Sequence, residues 1–158
     1  MKKIAVIFLL AIYPFFNTFS QKVANPSFRK LENFETIFNL AIKEKKPVFL
    51  EAYLPTCHHC MAYDVTLKKP EIKNYLSKNY HAYQIDLSQK DANAFLRKNK
   101  IYIATTPTFI VFSPEGKIWN IQAAGEETNN VKDIIALLDM AKDPLKRQQA
   151  LVENFDKG

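Results

Sequence analysis

The chain's only two cysteines stand three residues apart, in the segment Cys57-His58-His59-Cys60. If this segment opens a helix, positions i and i+3 lie about 5 Å apart at the backbone, inside the ~4.4–6.8 Å span that a disulfide accepts. The positive end of the helix dipole then favours a thiolate on Cys57. A bridge Cys57–Cys60 closes too short a loop to restrain much of the unfolded chain, so structural stapling explains it poorly. Reversible disulfide chemistry fits better. An imidazole from His58 or His59 beside the Cys57 sulfur would favour its anionic form and so the reduced state. The four side chains also suit Cu(I) or Zn(II), which makes a metal-binding module the second reading. The second, separated ligand pair that structural zinc sites draw on is missing, however.

These residues must be placed by their neighbours. Val48 to Leu54 is an apolar run of strand length, with the composition of a buried central strand. Phe49, Glu51 and Tyr53 alternate onto one of its faces. A carboxylic acid buried there would have a raised pKa and could relay protons for Cys60. Before it, Leu31, Phe34, Ile37, Phe38, Ala41 and Ile42 recur at helical spacing, which predicts a helix from Phe28 to Lys45. Pro47 marks its stop. The cysteine helix is predicted to run to about Leu67, and Pro70 suits the first turn of a helix ending at Asn79. Strands are expected over Tyr80–Leu87, Thr108–Phe112 and Lys117–Ala123, with a turn at Ser113-Pro114-Glu115-Gly116. Helices are expected over Ala92–Lys98 and Glu127–Met140, with Val131, Ile134, Ile135, Leu137 and Leu138 on the core face of the second. A short terminal helix should end at Phe155. Helices alternating with strands and closed by a hairpin and a helix predict an α/β three-layer sandwich, a central mixed β-sheet flanked by helices. His81, at a strand start, and Trp119, on the hairpin, read as structural.

Composition bounds the setting. The 158 residues suffice for one domain with a real core. Lys2 and Lys3, the mostly apolar stretch Ile4 to Phe16, and small residues at Thr18 and Ser20 read as a signal peptide, residues 1–20, cleaved near Ser20/Gln21. The expected organisation is then a domain over 21–142 and a C-terminal helical tail over 143–158. Export across the inner membrane, to the periplasm, permits disulfides. The net charge of +6 includes Lys2 and Lys3, and the remaining excess is scattered with no basic helix carrying aromatics, which argues against nucleic acid as a partner.

Taken together, the run Pro47 to Cys60, then Thr106-Pro107-Thr108-Phe109, then the strand-turn-strand around Gly116, resembles the thioredoxin superfamily over roughly Leu31 to Met140. The stretch from Lys69-Pro70-Glu71-Ile72 to Asp86 is similar to the exported thioredoxin-like domains at the end of transmembrane thiol reductases. The resemblance implies a thiol:disulfide oxidoreductase with no cofactor. Cys57 resembles the attacking cysteine and Cys60 the resolving one, with a mixed disulfide between. His59 stands where strongly oxidising members carry a histidine. Pro107 resembles the cis-proline, with the Thr106 backbone offered to an extended substrate and the Thr106 side chain tuning Cys57. Glu51 takes the place of the buried acid. The implied partners are protein thiols and disulfides in the exported compartment, with a membrane thiol reductase as electron donor and the chain itself a monomer. The chain departs from the family at His58, usually proline, and at Thr56, usually tryptophan. At Ala82 it departs again, on the place read as that of a lysine near the buried acid. Electron flow toward reduction or general exchange is favoured, because the large helical insertion of dedicated oxidases is absent. A redox-inactive interaction domain is the third reading.

Overall fold

The computed structural model describes residues 28, 29 and 33–155; the expected leader at 1–20 lies outside the described residues. A 3-10 turn at Phe34–Thr36 leads into α1, Ile37–Glu44. Then come β1 Val48–Tyr53, α2 His58–Leu67, α3 Pro70–Asn79, β2 His81–Asp86 and α4 Lys90–Lys98. The chain continues with β3 Thr108–Phe112, β4 Ile118–Ala123, α5 Val131–Lys142 and α6 Gln148–Phe155. The sheet order is β2-β1-β3-β4. β1 runs parallel to β2 and antiparallel to β3, and β3 is antiparallel to β4.

β1 occupies the middle because its side chains are apolar on both faces. Val48, Leu50 and Ala52 pack with Ile37 and Ala41 of α1 and with Ala92, Phe95 and Leu96 of α4. Phe49 points the other way, into a cluster with Tyr63 and Leu67 of α2, Ile72 and Leu76 of α3, and Ile134 and Leu138 of α5. The three layers follow, and the fold class is the α/β sandwich expected. Proline enters α3 at its first turn, where the missing N–H costs nothing. Gly116 closes the β3–β4 turn at φ 88°, a conformation that favours glycine, and its N–H returns to Ser113 O at 3.0 Å.

Two predicted helices start later than periodicity suggests. Arg29 does not continue α1 backward; it pairs in parallel with Tyr83, and its N–H donates to Ala82 O at 2.7 Å. An edge strand offers carbonyls that extended backbone can satisfy and a helix cannot. Phe28, apolar but outside the helix, stacks on Phe49 with ring centroids 6.2 Å apart. The stretch expected to open α5 forms a separate 3-10 turn, Glu126–Thr128. α5 itself starts after Asn130, whose side-chain oxygen accepts from Asp133 N–H at 3.0 Å. Of its expected core face, Ile134 and Leu138 are buried with Ala141, while Val131 and Leu137 pack partly buried against the same cluster.

α6 lies against β4: the Gln148 side-chain oxygen accepts from Ile121 N–H at 3.0 Å. Just before it, the Arg147 guanidinium sits 5.1 Å from the centre of the Trp119 ring, so this tryptophan serves packing. His81 is fully buried at the start of β2, its Nε2 3.2 Å from Glu44 Oε2, and burial holds its pKa below the ordinary range. Its register partner is Val48, at the N-terminal end of β1, whereas the cysteines follow the C-terminal end.

Phe109 is the sharpest test of this core. Its ring lies 5.2 Å from that of Phe49 and 5.3 Å from that of Tyr63. Phe109→Ala is expected to cost about 3–5 kcal/mol in urea unfolding, whereas Asn130→Ala, which removes the α5 cap and the bond from Asn130 Nδ2 to Asp133 Oδ2, should cost about 1 kcal/mol.

Candidate active site

The site forms where β1 ends and α2 begins. Cys57 is the N-cap of α2, with extended φ and ψ of −80° and 116°. Its sulfur does what a serine or aspartate oxygen does at this position: it accepts from the Cys60 N–H, at 3.2 Å. Cys57 Sγ also lies 3.5 Å from the Thr106 carbonyl oxygen, to which the thiol donates. Both cysteines carry free thiols; Cys57 is half-buried and Cys60 buried one turn deeper.

Burial by itself would raise the pKa of the Cys57 thiol, but hydrogen bonding overrides it. The Cys60 side chain, the Thr106 side chain and the backbone N–H groups of Cys60 and His59 all favour the thiolate, so Cys57 lies below the ordinary thiol range. Cys60 is pushed the other way, first by burial and then by the proton it donates to Cys57. One cysteine is thus prepared to ionise and the other to keep its proton.

The expected contact between an imidazole and the sulfur does not form. His58 and His59 are exposed, their ring centroids 6.2 Å apart, and neither ring is hydrogen-bonded to Cys57 among the described residues. At the first positions of a helix the side chains radiate outward while the N–H groups point back at the N-cap. It is therefore the backbone of His59, not its ring, that reaches the sulfur.

Glu51 is 1% exposed. Burial, reinforced by the nearby Asp64 charge and only partly offset by a hydrogen bond from Gln84, raises its pKa from the usual carboxylate value to about 7. Glu51 and Cys60 line one cleft of about 260 Å³ together with Tyr53, Leu54, Pro55, Met61, Asp64 and Gln84. Ala82 is not the residue beside this acid. In the parallel register Ala82 stands opposite Phe49, and Gln84 stands opposite Glu51, donating from Nε2 to Oε2 at 2.7 Å. The sequence reading missed Gln84 because a parallel register is set by the crossover between strands and leaves no local mark. A polar residue within the otherwise apolar stretch from Ala82 to Ile85 was the available signal.

Two further segments frame the sulfur. The Thr106–Pro107 peptide bond is cis, and the Pro107 carbonyl accepts from Ala124 N–H at 2.9 Å. The Tyr63 hydroxyl, on α2, donates to the Gly125 carbonyl at 2.6 Å and lies 2.6 Å from Thr128 Oγ1. These bonds tie α2, the Thr106–Pro107 segment and the loop after β4 into one frame. Among the described residues, no group of three or more His, Cys, Asp or Glu side chains is arranged to hold a metal ion.

A family model described as thioredoxin-like matches residues 31–114. No curated protein matches the chain. Among solved structures, the fold is similar to that of DsbH oxidoreductase (TM-score 0.61, 14% identity, 72% of this chain and 84% of that one). It is also similar to a putative disulphide-isomerase from Bacteroides thetaiotaomicron (TM-score 0.59, 16% identity, covering 72% and 90%). A third likeness is to the oxidised C-terminal domain of DsbD from Neisseria meningitidis (TM-score 0.56, 20% identity, covering 73% and 98%).

The buried acid makes a stability prediction with a definite sign. Because the folded state raises the Glu51 pKa, it binds the proton more tightly than the unfolded chain does. Its contribution is full below the unfolded value and is lost as pH rises through about 7. The loss approaches about 3 kcal/mol at alkaline pH, at roughly 1.4 kcal/mol per unit. Glu51→Gln should abolish this decline, so urea titrations from pH 5 to pH 9 should show the variant gaining on the wild type as pH rises.

Proposed function

Since the chain belongs to the thioredoxin-like family, we propose that it is an exported thiol:disulfide oxidoreductase that exchanges disulfides with protein substrates through Cys57 and Cys60. The observation that carries this reading is the Cys57 sulfur, which caps α2 while facing the Thr106 carbonyl, with Cys60 protonated one turn behind it.

The steps follow from these positions. The Cys57 thiolate attacks one sulfur of a partner disulfide; that S–S bond breaks, and the other partner sulfur leaves as a thiolate and takes a proton from water. Cys57 is now joined to the partner in a mixed disulfide. Cys60 loses its proton to the Glu51 carboxylate and attacks the Cys57 sulfur, which forms the Cys57–Cys60 bridge and releases the second partner thiolate. Two electrons pass from the Cys57/Cys60 pair to the partner. The reverse sequence oxidises a partner dithiol. Thr106 and Pro107 would hold an extended substrate segment by backbone pairing. His58 and His59 tune the thiolate in this reading from the mouth of the site, without contact with the sulfur.

The working direction is reduction or general exchange, with a membrane thiol reductase recharging the pair. Residues 1–20 would direct export to the periplasm and be removed near Ser20/Gln21, which the mass of the mature chain checks. Metal binding by the same four residues is the rival reading, and protection of both thiols by added Cu(I) or Zn(II) at stoichiometric ratio would favour it.

Two measurements test the proposal. Equilibration with glutathione buffers should yield a reversible two-electron couple; a potential near about −270 mV marks an electron donor and one near about −120 mV an oxidant. No reversible couple would end the redox reading. Cys60→Ser should accumulate mixed disulfides with exported proteins, resolved by reducing agent on a gel, while Cys57→Ser should accumulate none.

A further inference from the structure

The buried acid has one side-chain hydrogen-bond partner among the described residues, and that partner is neutral. Gln84 Nε2 donates to Glu51 Oε2 at 2.7 Å from the directly paired position on β2. The titratable groups around Glu51 are Cys60 and Asp64 on α2 and Tyr53 on its own strand, with Asp86 of β2 opposite Tyr53. Asp64 is in turn paired with Lys68, the exposed residue just past the end of α2, at 2.5 Å. Gln84 and Tyr53 also line a larger groove of about 1050 Å³ between the Phe34–Phe38 segment, β2 and α4. Gln84 therefore forms a wall between that groove and the cleft holding Glu51 and Cys60.

Resting on the thiol-exchange reading above, we infer that Gln84 is the positioning residue of the Cys60 step, holding the Glu51 carboxyl in the Cys60 cleft in both of its protonation states. A carboxamide has N–H donors and an oxygen acceptor. With Glu51 ionised, the amide donates to it through the contact from Nε2 to Oε2 at 2.7 Å. With Glu51 protonated, rotation of the amide presents its oxygen to the carboxyl O–H. A lysine at this place would favour the anion and has no acceptor for the carboxyl O–H, and an apolar side chain would serve neither form. In the step itself the Cys60 S–H proton passes to the Glu51 carboxylate and the Cys60 sulfur bonds to Cys57. The bond from Cys57 to the partner sulfur breaks, and the partner leaves with the electron pair. Glu51 then returns the proton to solvent, and Gln84 keeps the carboxyl in place throughout.

The test uses Gln84→Lys and Gln84→Met in the mature chain, with two readouts. Carbon-detected NMR follows the titration of the Glu51 carboxyl in the reduced protein. Stopped-flow absorbance follows release of thionitrobenzoate after 5,5′-dithiobis(2-nitrobenzoate) is added; the second release reports Cys60 attacking the mixed disulfide on Cys57. Gln84→Lys should move the Glu51 inflection down by about one pH unit or more, and Gln84→Met should move it up. The pH profile of the second release should follow in each variant. Opposite shifts are the signature, because a merely structural role would move both variants the same way. Shifts in one direction, no shift, or shifts of Glu51 that leave the release profile unmoved would overturn the role of Gln84 while the Cys57/Cys60 reading stands. Absence of a second release in the wild type would instead bring down the thiol-exchange reading, and the positioning role with it.

Discussion

The site depends on one interaction, the capping of α2 by the Cys57 sulfur. A helix start leaves backbone N–H groups without partners, and here a sulfur atom takes up the ones that would otherwise need a side-chain oxygen. The same bond that stabilises the helix end also favours the anion on the sulfur. Secondary structure and reactivity are thus set by one contact. Removing the anion, by protonation or by forming a disulfide, weakens the cap, which ties the state of the helix start to the redox state of the pair.

That cap is useful only if the sulfur is held against something. β1 delivers Cys57 from the centre of the sheet, where both faces are covered and the strand cannot shift. β3, antiparallel to β1, begins just after Thr106 and Pro107 and so brings the Thr106 carbonyl to the sulfur. The Tyr63 hydroxyl and the Pro107 carbonyl then fix the loop after β4 to the same frame. The cost of this arrangement is a carboxyl group in the protein interior. Glu51 is tolerated because Gln84 satisfies it and because a proton neutralises it near pH 7.

The asymmetry between the two cysteines has a simple origin. Both sit on α2, but one occupies the N-cap and the other the third helical position. The first faces convergent N–H groups; the second is buried and donates its proton to the first. A difference of three residues along one helix is enough to separate a nucleophile from a proton-holding partner.

Much of this was legible in the sequence. The apolar run Val48–Tyr53, the proline at the start of α3, the turn at Ser113–Gly116 and the cysteine spacing are local patterns, and each produced the element expected. Strand alternation put Glu51 on one face with Phe49 and Tyr53, and its burial came from the packing over that face. Other features depend on which segments meet in space. Arg29 left the helical pattern to satisfy the edge of β2, and Asn130 rather than apolar spacing decided where α5 begins. The imidazoles of His58 and His59 turned outward because helix geometry aims backbone, not side chains, at the cap. Gln84 became the partner of Glu51 through a parallel register set by a crossover of two helices between β1 and β2. Sequence by itself determined the pattern of elements and the residue types at the site, since these rest on short-range periodicity and backbone preference. Tertiary structure alone decided which polar groups pair, because long-range register and packing leave no local signature in the chain.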